Sequence, residues 1–179
     1  MPAITDARVL IIATDRFEES ELFDPRQTLL DKGAKVTLAS LDREPIMATV
    51  HDEPGREITP DALIADVRAD DYDALLIPGG VGNPDRLRTE EAAVALVRAF
   101  DAAGKPVAAI CHGPWMLAEA DVVKGRTVSP FPSIRTDLKN AGATVVDQEV
   151  AVDGHIITSR QPDDIPAFTE ALIAAIEGR

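Results

Sequence analysis

The chain has 179 residues, 45% of them hydrophobic, and sets 31 acidic side chains against 18 basic ones for a formal net charge of −13. That length and apolar content suffice for a single α/β domain with its own core. The acidic balance excludes nucleic acid or anionic lipid as a partner, since no basic face exists to release counterions, and the lone cysteine excludes an internal disulfide.

In chain order, RVLIIAT (8–14) is a short apolar run that reads as a strand buried on both faces. ESELFDPRQTLLDKG (19–33) reads as a helix with Leu22, Leu29 and Leu30 inward, Gly33 as its stop and Pro25 in its first turns. AKVTLAS (34–40) is the next strand, and residues 41–60 form an excursion with turn chemistry at Pro54-Gly55. DALLIPGG (73–80) is a buried strand closed by two glycines. TEEAAVALVRAFDAAG (89–104) is a helix with Thr89 as cap and Gly104 as terminator. PVAAI (106–110) is the fourth buried strand and runs straight into Cys111, with a helix through PWMLAEA after it.

Beyond that point SIRTDLKNAG is helical, TVVD and VAVDGHIITS are strands, the latter turning at Asp153-Gly154, and Asp163 to Glu177 is the last helix. Strand alternates with helix at short spacing, without repeat or linker. The expectation is one domain over 1–179, a three-layer α/β sandwich with a mostly parallel sheet. The first ten residues show no charged segment followed by a long apolar one, and no apolar run approaches the roughly 18 residues that span a bilayer. A cytoplasmic location with no membrane partner is therefore expected.

In open parallel sheets ligands sit beyond the carboxyl ends of the strands. Three such ends carry unusual chemistry: TDRFEESE after the first strand, PGGVGN after the third and CHGP after the fourth. A nucleophile at a sharp strand-to-helix corner needs a residue without a side chain close by, which Gly113 supplies, and Pro114 suits a first helical turn. The helix N-terminus should lower the Cys111 pKa. The context favours Cys111 as a nucleophile over a small core hydrophobe.

His112 can pair with it only if the corner is strained, because neighbours on a helix do not face each other. Glu18 and Glu21 share a helical face, so at least one of Glu18, Glu19 and Glu21 is expected beside the sulfur with a raised pKa. Gly79 and Gly80 could offer backbone N–H groups to an oxyanion. His51 and His155 read as surface residues. One Cys and three scattered His give no metal-ligand spacing, and GGVGNPD completes no phosphate-binding motif, so neither metal nor cofactor is expected.

RFEESEL, ALLIPGG, PVAAICHGPWML and VDGHIITSR together resemble the ThiJ/PfpI superfamily, in particular its branch of PfpI-like intracellular proteases and general stress proteins. The resemblance runs from about Arg8 to Glu177. It implies a flavodoxin-like sandwich, as in class I glutamine amidotransferases, with Cys111 at the elbow. It also implies Glu21 against the sulfur with Glu18 in the same pocket, and oxyanion donors at Gly79 or Gly80 and the His112 backbone. Oligomeric relatives orient the histidine with an acid from a neighbouring subunit. The resemblance therefore implies a homo-oligomer, a dimer or hexamer, with Asp85 in place of the longer glutamate. Phe131 stands where some relatives carry a tyrosine.

Three activities follow from the resemblance: cofactor-free glyoxalase or deglycase chemistry on carbonyls such as methylglyoxal, peptide hydrolysis through a Cys111 thioester, and non-enzymatic redox sensing or stress holding through Cys111 oxidation. Glutaminase chemistry is set aside, because no histidine follows His155. Trp115 and Phe131, if both turn inward, make the pocket small and apolar. The small carbonyl is the preferred substrate and a peptide the second choice.

Overall fold

A computed structural model describes residues 2–178. β1 (Arg8–Ile12) leads into the short β2 (Phe17–Glu18) and α1 (Glu19–Asp31), followed by β3 (Lys35–Ser40). The excursion holds β4 (Ile46–Val50) and β5 (Glu53–Ile58), and β6 (Ala62–Leu63) returns to the sheet. Then come β7 (Ala74–Ile77), α2 (Gly82–Leu87), α3 (Glu91–Ala102), β8 (Val107–Ile110) and α4 (Pro114–Glu119). The chain ends with β9 (Thr127–Val128), α5 (Arg135–Asn140), β10 (Thr144–Val145), β11 (Ala151–Asp153), β12 (Ile156–Ser159) and α6 (Ile165–Glu177).

Seven strands form one sheet in the order β11-β12-β8-β7-β1-β3-β6, parallel throughout except for β11 against β12. The short apolar runs are buried on both faces because side chains alternate across a strand. Val9 and Ile11 pack under α1 and α6 with Leu22, Leu29, Phe168 and Leu172, while Leu10 and Ile12 face Val97, Phe100 and Met116 of the opposite layer. This is the expected three-layer sandwich. β1 connects to β3 on one side and lies beside β7 on the other, so the strand order reverses between β1 and β7, where a ligand crevice forms.

Several local expectations need correction. Pro25 lies in the middle of α1 rather than in its first turns, buried, with no N–H to offer the Glu21 carbonyl one turn back. Thr89 does not cap α3: the cap residue is Glu90, and Thr89 Oγ1 donates instead to the Arg86 carbonyl at 2.8 Å. TVVD contributes only β10, which pairs with β9 apart from the main sheet. Residues 41–60 do leave the main sheet, β4 and β5 joining β2 in a separate sheet whose hairpin arches beside the carboxyl end of β1, but Pro54 and Gly55 lie inside β5 and not in a turn.

That hairpin turns in two residues. Val50 pairs with Glu53, leaving His51 and Asp52 at φ +50° and +74°. Two consecutive positive φ values define the tight hairpin turn in which Asn-Gly is favoured. A side-chain-bearing residue there costs about 1–2 kcal/mol, less for Asp than for His.

Candidate active site

The apolar strand β8 ends where Cys111 takes φ +62°, a left-handed conformation that turns the chain abruptly into α4. The Cys111 N–H donates to the Ser159 carbonyl, and its own carbonyl accepts from Phe131 N–H, both at 2.9 Å. Gly113 is obligatory in the space available, since a Cβ there would stand 2.8 Å from the carbonyl oxygens of both Ile77 and Ile110. The corner is the strained one that a direct Cys-His contact requires: Cys111 Sγ lies 3.2 Å from His112 Nδ1.

His112 is buried. Its Nε2 is 3.1 Å from Ser133 Oγ, its ring stacks on Phe131 at 4.7 Å, and Trp115 meets it edge-on at 5.2 Å. Burial lowers its pKa, and the negative charge of Asp52 opposes that only in part. A neutral imidazole with the proton on Nε2, shared with Ser133, leaves Nδ1 free to accept from the thiol.

Glu21 comes from the first full turn of α1 and has no solvent exposure. Its Oε2 accepts the Gly79 N–H at 2.8 Å, whereas buried Oε1 has no fixed donor. Burial raises its pKa from 4.5 to about 8, against the opposing effect of the Gly79 N–H and the Cys111 contact and with help from the Glu18 charge. At neutral pH Glu21 is therefore a neutral acid, with a proton to place between Oε1 and the sulfur.

Burial also pushes the Cys111 thiol up, and an ionised Glu21 would push it further, while the His112 and Gly80 N–H groups pull it down. The helix dipole does not dominate, since α4 has only six residues. The resting pair is a thiol beside a carboxylic acid, with a histidine at hand to take the thiol proton.

Other predicted residues fall differently. Gly80 lines the Cys111 pocket with φ +71°, but the Gly79 N–H is committed to Glu21 and is not an oxyanion donor. Trp115 is not part of the pocket wall: its Nε1 donates to Asp137 at 2.9 Å and Arg88 covers its ring, so it backs His112 from behind. Phe131 does line the pocket, and Glu18 stands at its mouth. Asp85 sits exposed on α2 in a separate hollow with Arg88 and Glu119, away from Cys111 of its own chain.

Some residues escaped the sequence reading. His51 and Asp52 reach the pocket from the hairpin tip, and Gln161 and Asp163 from the loop after β12. Arg160 fixes that loop by bonding both carboxylate oxygens of Asp164 and reaching Asp147. Fully buried Asn83 accepts from Thr14 N–H and donates to the Pro78 and Gly79 carbonyls, tying β1 to the PGG turn. Polar residues after a Gly-Gly turn were the only available signal. His155 is half-buried, 2.8 Å from Asp101, which also pairs with Arg126, and has no contact with the pocket.

The pocket has a volume of about 340 Å3 and is open to solvent on one side. Among the described residues no group of acids, histidines or cysteine is arranged to hold a metal ion, and no helix is long and apolar enough to cross a membrane.

The family model for DJ-1/PfpI matches residues 7–175. The chain belongs to the DJ-1/PfpI family. It is 42% identical over 172 residues to general stress protein 18 of Bacillus subtilis, covering 95% of this chain and 98% of that one. A deglycase of Pyrococcus abyssi is 38% identical, covering 95% and 99%. YraA of Bacillus subtilis, provisionally named a cysteine protease, is 41% identical, covering 90% and 93%. Among solved structures, a two-domain Anabaena variabilis protein with DJ-1/ThiJ/PfpI-like and ferritin-like domains superposes with a TM-score of 0.92 at 32% identity. The match covers 96% of this chain but only 48% of that protein, so the chain spans about half its length. This DJ-1/PfpI member thus has relatives named for stress response, deglycation and proteolysis.

Proposed function

We propose that this chain is a cysteine-dependent enzyme acting on small reactive carbonyls of the methylglyoxal type, with Cys111 as nucleophile. The observation that carries the reading is the fully buried Glu21, raised to about 8, sharing a small pocket with a thiol whose proton has a neutral imidazole 3.2 Å away.

Cys111 Sγ adds to the aldehyde carbon as its proton passes to His112 Nδ1, and the carbonyl oxygen collects a proton to give a hemithioacetal. Moving the hydrogen of the former aldehyde carbon to its neighbour oxidises the first carbon and reduces the second, so no external oxidant is needed. The product is a thioester, and water cleaves it to the hydroxy acid while restoring the thiol. A carboxyl with a pKa of about 8 can both give and take a proton near pH 7, which suits Glu21 to that transfer. Relatives named deglycase agree with carbonyl chemistry.

Peptide hydrolysis could use the same Cys-His contact, and the relative provisionally named a protease favours it. The pocket's volume of about 340 Å3 weighs against it, since that suits a small carbonyl better than an extended peptide, which needs a longer groove. The test is lactate formation from methylglyoxal by the wild type and Cys111→Ala, beside hydrolysis of a casein substrate. Lactate from the wild type alone supports the reading. Casein hydrolysis that depends on Cys111, without lactate, overturns it in favour of the peptidase.

A further inference from the structure

The mouth of the Cys111 pocket is built from Glu18, His51, Asp52, Gln161 and Asp163, and neither lysine nor arginine lines it. Asp52 and Asp163 have no ion-pair or hydrogen-bond partner among the described residues, and Glu18 accepts only a 3.4 Å bond from the His51 N–H. Below them Glu21 Oε1 is buried and without a fixed donor. An acidic rim alone is unremarkable in a chain of net charge −13.

The hairpin tip makes it more than that. His51 and Asp52 both hold positive φ where Asn-Gly would sit without strain, and both line the pocket. Strain that persists at the edge of a site is a pointer to function. Asp52 is also close enough to act on the charge state of His112.

We infer that the β4–β5 hairpin tip is a charge filter, with Asp52 acting alongside Glu18 and Asp163, so that the site admits carbonyl substrates that are neutral or cationic and turns away those bearing a carboxylate. The inference rests on Cys111 being the reacting group, and it deepens the proposed carbonyl reading by naming the class of substrate. Three fixed negative charges around a partly enclosed opening raise the local concentration of cations and lower that of anions, an effect of about tenfold or more at low salt.

Because Cys111 is the only cysteine, its modification rate reads the field at the sulfur without any turnover. The probes are a pair of methanethiosulfonates of similar size, one with a trimethylammonium group and one with a sulfonate. Each rate, followed by intact mass, is divided by the same reagent's rate with free mercaptoethanol. At low ionic strength the cationic reagent should lead by about tenfold, and the lead should shrink towards one in roughly 0.5 M salt. Asp52→Gly keeps the turn geometry, so it folds, and should cut the lead about two- to threefold; adding Glu18→Gln and Asp163→Asn should abolish it.

A ratio near one in the wild type, or one favouring the anionic reagent, overturns the filter. A ratio that survives in the triple variant overturns it too, because the net charge of the whole protein would then be responsible. None of these outcomes depends on lactate formation, so the filter can fail while the carbonyl reading stands, and the reverse.

Discussion

Two turns face the same pocket, and each holds side-chain-bearing residues at positive φ: the Cys111 elbow and the His51-Asp52 hairpin tip. The elbow is enforced from all sides, since β8 runs beneath it and Ile77 and Ile110 carbonyls close on Gly113. The tip is exposed, packed by little, and would be more relaxed with glycine. The core therefore dictates the positive φ at the first turn, whereas the two-residue hairpin register dictates it at the second, where glycine would serve with less strain. Of the five non-glycine residues with positive φ among those described, only Asp121 lies apart from this region, for Arg16 abuts Gly80.

The widest gap between the two turns should appear in the pH dependence of stability. Unfolded Glu21 titrates near 4.5 and folded Glu21 near 8, so between these values only the folded state keeps the proton. Its contribution is complete below 4.5 and is lost as pH rises through 8, a decline on the order of 5 kcal/mol. Urea unfolding from pH 5 to 8.5 should show the wild type losing stability relative to Glu21→Gln. No substitution at the tip should alter that slope appreciably.

Next in size is Gly79→Ala. Its Cβ would stand 2.5 Å from Glu21 Oε2, 2.6 Å from Cys111 Cβ and 2.8 Å from the Ile110 carbonyl, so the elbow must shift. A stability loss of about 1–3 kcal/mol is expected from overpacking, with loss of the proposed carbonyl turnover. Smallest, and opposite in sign, is Asp52→Gly. Relief of the left-handed backbone, less the added freedom of the unfolded chain, should stabilise by about 0.5–1 kcal/mol in the same titration. A destabilised Asp52→Gly would break the comparison, since the tip would then be held by its packing as the elbow is.

The sequence made the elbow readable and the tip obscure for physical reasons. An apolar run into Cys-His-Gly-Pro is a local pattern, and its consequence is local: a buried strand, a tight corner and a short helix. The parallel sheet followed from strand and helix alternation, while position after β1 brought forward Glu18, Glu19 and Glu21 together and only the family resemblance singled out Glu21. His51-Asp52 is not a favoured turn pair, so nothing marked a two-residue hairpin, and its approach to Cys111 depends on how β4 pairs with β2. Gly79 was misassigned because its N–H is taken up by a carboxylate 58 residues away in sequence. Trp115 was misassigned because Asp137, on another helix, draws its indole outward.

The central claim is that Glu21 rests as a neutral acid beside Cys111. Infrared difference spectra between the wild type and Glu21→Gln, recorded from pH 5 to 9.5, test it directly. A protonated-carboxyl band assignable to Glu21 should be present at pH 7 and fade with a midpoint near 8. A carboxylate already present at pH 6 would contradict it, leaving Cys111 beside a fixed negative charge that opposes the thiolate the proposed reaction needs.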